Sequence, residues 1–89
     1  MTHITHRPAN EQERHQCQSW ALWESGETDR FEYHYEQDVE FVVQQGNAVI
    51  HSSGNAPVAI APGSRVTIDK GVHAVWAISA AITNRYQYR

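Results

Sequence analysis

The clearest pattern along the chain is a strict alternation from Arg30 to Glu36. Phe31, Tyr33 and Tyr35 fall on one side, and Glu32, His34 and Glu36 on the other. A period of two with aromatic residues predicts a half-buried strand. Val39 to Gln44 reads as a second strand and Asn47 to Ser52 as a third. Gln45-Gly46-Asn47 supplies a tight hairpin turn between them, because Gly and Asn tolerate positive φ. Ser53-Gly54-Asn55 turns again before a short strand over Pro57 to Ile60, with Pro57 at its start or on an edge. Pro62-Gly63-Ser64 and Asp69-Lys70-Gly71 bracket a strand over Arg65 to Ile68. Val72 to Ile78 and Ile82 to Tyr88 follow, with a bend near Ser79-Ala80. The sum is about seven or eight short strands with frequent turns, an all-β sandwich or small barrel.

The segment before this pattern is different. Residues 1–18 read as a flexible or loosely docked arm, and residues 19–89 as the domain. Pro8 limits any early helix. A helical turn over Glu11 to Gln18 has too poor an apolar face to hold itself in place.

Composition narrows the class. The chain has 89 residues, enough for one core. Nine aromatics (three Trp, four Tyr, two Phe) supply the apolar area that core needs. Net charge is −3 and no basic stripe exists, so nucleic acid is not an expected partner. No apolar run approaches the ~20 residues of a membrane helix. The N-terminal residues lack the apolar stretch of a signal peptide. The single cysteine, Cys17, excludes an internal disulfide and points to a reducing compartment, so a cytoplasmic location is expected.

Several stretches in fixed order carry a family likeness. Trp23-Glu24-Ser25-Gly26 precedes the Phe31, Tyr33, Tyr35 alternation. Glu40-Phe41-Val42-Val43 runs to Gly46 and Ala48-Val49-Ile50. Pro62-Gly63-Ser64-Arg65-Val66-Thr67-Ile68 is followed by Gly71, Trp76 and Tyr86. Over roughly residues 20 to 88 the chain resembles the small single-domain cupins grouped with ureidoglycine aminohydrolase and ethanolamine-utilisation cupin modules. The resemblance implies a small jelly-roll barrel with a pocket lined from inside, often dimeric, so a homodimer is expected. Three positions depart from the family pattern. Glu40 and Gly46 are one residue closer than usual, Ser64 replaces an Asp, and Asp69 replaces a Pro. A shift of one residue moves a side chain to the other face unless a bulge absorbs it.

Metal-binding cupins carry a pair of histidines two residues apart, then a glutamate, then a later histidine. Two registers are open here. In the first, Tyr33 and Tyr35 take the paired positions, with Glu40 after them. Phenols with a pKa of ~10 are poor ligands for a divalent ion at neutral pH. In the second, His34, Glu36, Glu40 and His73 would form a shell suited to zinc, iron or manganese. The first is preferred. It buries the rings, whereas the second would bury two acids and leave three aromatics in water. The expected pocket is therefore aromatic, with no metal and no cofactor.

The predicted ligand-binding set is Tyr33, Tyr35, Glu40, His73, Trp76 and Tyr86. Tyr33 and Tyr35 would stack and donate hydroxyls, Glu40 would fix a ligand hydroxyl or amine, and Trp76 would form a wall. Glu40 reads equally as an exposed edge-strand acid. His73 reads either as a ligand group or as a strand-mouth histidine bonded to backbone or water. The expected function is to bind a small polar or carbohydrate-like molecule. The alternatives are a metal-dependent enzyme acting on a small nitrogenous or sugar acid, and a structural dimer without ligand.

Overall fold

The computed structural model describes residues 3–89. Seven strands are present: β1 (Ile4–Pro8), β2 (Ala21–Glu24), β3 (Arg30–His34), β4 (Val39–Ser52), β5 (Asn55–Ile60), β6 (Ser64–Ile68) and β7 (His73–Tyr88). One helix, α1 (Glu11–Gln16), and a 3-10 turn over Cys17–Ser19 lie between β1 and β2.

Two long antiparallel strands organise the molecule. β4 pairs with β7 along both of their halves, from Val39 opposite Tyr88 to Ser52 opposite Ala74. On one half of this ladder β6 and then β1 add to β4, and β2 adds to β7. On the other half β5 adds to β4 and β3 to β7. Both long strands bend at mid-length, so the halves fold over each other as two layers. Rings from opposite layers meet: Phe41 lies 5.4 Å from Trp76, and Trp23 lies 5.7 Å from Trp76. The shortest dimension of the molecule, 19 Å, fits two sheets about 10 Å apart.

The Gln45-Gly46-Asn47 segment is therefore a corner inside one strand and not a hairpin turn. Its register slips between Val43 and Gln45, again before Asn47, and again before Ala48. Inward-facing residues are Val39, Phe41 and Val43 before the corner, then Ala48 and Ile50 after it. The parity changes, as a bulge requires. Gly46 takes φ +93°, which a glycine tolerates without strain.

The N-terminal arm is also ordered where it is described; Met1 and Thr2 lie outside the described residues. β1 pairs with β6 from Ile4 opposite Ile68 to Pro8 opposite Ser64. Backbone bonds between His3 and Asp69, and from Ala9 N–H to the Gly63 carbonyl, fix its two ends. α1 has a capping box: Asn10 accepts from the Glu13 N–H and Glu13 returns a bond to the Asn10 N–H. Arg7 grips both oxygens of Glu13 at 2.7 and 2.6 Å, and Arg65 reaches Glu13 at 2.9 Å. The apolar anchor is small: Ala9 and Cys17 seal Val42 on the outer face of β4, with Trp20 beside them. A segment that lacks an apolar face is expected to be a flexible or loosely docked arm. This one is held by ladder bonds, a cap and ion pairs, which hydrophobic periodicity does not register.

The main core lies between the layers. Val39, Phe41 and Val43 meet Ile50, Val58, Ile60, Val66, Ile68, Trp76 and Ile82 there. Among the described residues no helix is long and apolar enough to cross a membrane.

Candidate functional site

An open-mouthed cavity of about 130 Å³ sits between the layers. β2 contributes Trp23, and β3 contributes Phe31 and Tyr33, with Tyr35 just beyond its end. β4 contributes Val39 and Phe41. β7 contributes Trp76 from one half and Asn84, Tyr86 and Tyr88 from the other. Alternation explains each placement. Phe31 stands opposite Trp76 and Tyr33 opposite Ala74, all on the inner face of the β3–β7 pair. The sequence rule that turns rings 31, 33 and 35 inward therefore describes the fold.

The rings form a continuous wall. Phe31 stacks on Tyr33 at 5.9 Å with planes 11° apart, and Tyr33 meets the Tyr35 ring edge-on at 4.9 Å. Phe31 also lies 5.1 Å from Trp23. Such contacts fix the ring positions more firmly than area burial alone. Tyr33 and Tyr88 are 41% and 51% exposed and form the rim. Tyr35 is buried, and its backbone is pinned by bonds to Val72 O and from Gly71 N–H.

Burial pushes the Tyr35 phenol well above its usual pKa; the adjacent Trp76 indole offsets part of this. Burial, with Tyr33 alongside, also raises Tyr88. The Trp76 indole N–H has the Tyr35 hydroxyl as its neighbour but falls outside full hydrogen-bond geometry, and Asn84 Oδ1 closes no hydrogen bond. Trp76 is 2% exposed and Asn84 3%. Both atoms are closed off from solvent, as is Ser52 Oγ, which lies outside the cavity lining.

Four of the six predicted ligand residues line this cavity: Tyr33, Tyr35, Trp76 and Tyr86. Glu40 and His73 do not. Val39 and Phe41 face inward, so Glu40 between them faces the outer side of the sheet. There its carboxylate accepts from Arg65 and from Gln87 Nε2, and it is buried without being exposed at an edge. His73 likewise faces out, since Ala74 and Trp76 face in. Its Nε2 lies 2.9 Å from Glu32 Oε2, and this bond holds the Glu32 carboxyl below the usual carboxylate range. Trp23 reads from the sequence as core or pocket wall and Phe31 as an inward ring; Val39, Phe41, Asn84 and Tyr88 are the cavity residues that sequence reasoning missed. The signal for Asn84 was present: it is a polar residue on the inward parity of Ile82 and Tyr86.

The alternative metal shell does not assemble. His34 pairs with His73 across β3 and β7, with rings 6.2 Å apart on the outer face, while Glu40 lies on the outer face of the other layer. Among the described residues no group of three or more His, Cys, Asp or Glu is placed to hold a metal ion. The cavity wall offers phenols, indoles and an amide, a donor set that does not fit a divalent cation.

Comparison with known proteins agrees with this architecture. Residues 12–86 match the family described as EutQ-like cupin domain. The fold superposes on the crystal structure of a DUF861 family protein from Thermotoga maritima with a TM-score of 0.89. That match covers 98% of this chain and 100% of the other at 17% identity, a likeness of fold. No curated protein matches the chain.

Proposed function

The chain belongs to the EutQ-like cupin family, and from that premise we propose that it is a binding module. Its cavity would hold a small polar molecule against Tyr33, Tyr35, Trp76 and Tyr86 without a metal. The observation that supports this is a solvent-open wall of aromatic rings whose rim residues, Tyr33 and Tyr88, stay exposed. A wall meant only for core would close on itself. The wall carries no carboxylate or imidazole among the described residues, so it offers orientation and desolvation but no strong acid or base.

A thermal-shift screen of the untagged protein against sugars, amino acids and ureides tests the reading. A bound compound raises Tm with concentration. Tyr33→Ala, at the exposed rim, should keep the fold and weaken that response. If no compound raises Tm and none alters tryptophan emission, the binding reading fails.

A further inference from the structure

We propose that the cavity takes a compact quaternary ammonium head, such as a trimethylammonium group, in a box made by Tyr33, Tyr35, Tyr86 and Tyr88. This rests on the binding reading above and narrows its ligand. The four rings come in two nearly perpendicular pairs. Tyr33 and Tyr35 lie 4.9 Å apart with planes at 72°, and Tyr86 and Tyr88 lie 5.7 Å apart with planes at 77°. The corner between two such rings offers a face of each. The pairs belong to opposite layers: Tyr33 lies on β3 with Tyr35 just past its end, and Tyr86 and Tyr88 lie on the half of β7 opposite Phe41 and Val39. All four line this cavity, and the Tyr33 and Tyr88 hydroxyls neighbour each other. The two corners therefore enclose a shared space, open to solvent at the exposed rings of Tyr33 and Tyr88.

Charge and size select the class. The face of an aromatic ring is negative and attracts a cation, and several such faces around one space are a means of recognising quaternary ammonium groups. No charged side chain lines the cavity among the described residues, so a carboxylate or phosphate would meet ring faces with no cation to answer it. A primary ammonium brings three N–H donors, and the wall holds no carboxylate to accept them. A quaternary head has no N–H donor, so its burial leaves none unpaired, and its charge is spread over methyl groups that pack against rings. The net charge of −3 does not oppose its approach. The space of about 130 Å³ is close to the dry cavity of about 150 Å³ that admits benzene, a guest of similar bulk. The open mouth leaves the rest of such a molecule in water.

The test compares choline chloride with 3,3-dimethylbutan-1-ol, in which carbon replaces the charged nitrogen and the shape is kept. Both are titrated into the full chain at constant ionic strength and followed by NMR at the tyrosine ring protons. The chain has four tyrosines and all four belong to the box, so every tyrosine signal reports on it. Choline should shift these signals saturably and bind about tenfold more tightly than the alcohol. Tyr88→Leu, at the exposed rim, should weaken choline by about fivefold and change the alcohol by no more than about twofold. Tyr88→Phe keeps the ring and should keep choline binding. Equal affinity for the two compounds overturns the proposal. So does an equal loss of choline in Tyr88→Phe and Tyr88→Leu, which would assign the contact to the hydroxyl. If a variant does not fold, the matched pair on the natural chain decides. Should D-glucose or acetate bind while choline does not, the cation class is wrong and the binding reading stands. If neither choline nor any compound of the thermal-shift screen binds, both fall.

Discussion

Gly46 in β4 faces the carbonyl of Ala81 in β7 so closely that a Cβ on Gly46 would lie 2.1 Å from that oxygen. The Ala80 carbonyl oxygen would be 2.7 Å away. Both contacts are backbone, at the point where the two long strands bend together. No side-chain rotation relieves them. Gly46→Ala should cost at least about 2 kcal/mol, from the clash and from a positive φ that L residues avoid. For a domain of this size the Tm falls by about 10 °C or more. Urea denaturation of the variant checks it, and an unchanged midpoint would remove the corner from the account. Gly54→Ala is the control, since its positive φ is similar but nothing lies within 4 Å of its Cβ.

Acid should loosen the α1 clamp. Hydrogen bonds from Arg7 hold the Glu13 carboxyl down to about 2, from 4.5 in the unfolded chain. A depressed folded value stabilises the fold above 4.5, and that contribution is lost as pH falls from 4.5 towards 2. Glu13→Gln should therefore be less stable than the natural chain at neutral pH, and the gap should close over that window. Thermal melts of both proteins across pH give the comparison; a gap that stays constant to pH 2 contradicts the clamp.

Tyr35 gives the opposite sign at the alkaline end. Its folded phenol lies above the unfolded value of 10, so burial favours the neutral form. That contribution is complete below pH 10 and is lost as pH rises beyond it. Alkaline absorbance titration should show a step above the ordinary phenol range that is smaller in Tyr35→Phe, the remainder coming from Tyr88. If the amplitude lost in Tyr35→Phe lies within the ordinary phenol range instead, that phenol is in water.

Chelation should do nothing. Protein purified without a histidine tag and dialysed against EDTA is expected to keep its Tm. A fall in Tm restored by zinc, iron or manganese would show that a cation stabilises the fold, and would defeat the metal-free cavity.

Much of this architecture was legible in the residues, and the failures have physical causes. The alternation at 31, 33 and 35 was readable because the same positions carry both the period and the bulk. The corner was not, because Gly46-Asn47 signals positive φ without saying whether the chain reverses or bulges. β1 escaped notice because its inner face carries one large apolar residue, Ile4, the rest being exposed. The Asn10 and Glu13 capping box was written in the sequence, but its lack of apolar neighbours outweighed it. Glu40 and His73 failed as ligands for one reason: the parity that turns Phe41 and Trp76 inward turns them outward.

The shared strands have a consequence for synthesis. Val39 is followed 49 positions later by its partner Tyr88, and each layer takes one half of β4 and one half of β7. Until β7 has been made, β4 has only β5 and β6 beside it, and neither layer has its lid. The nascent chain thus carries β4 with one edge open until β7 emerges, and both layers close in a late event.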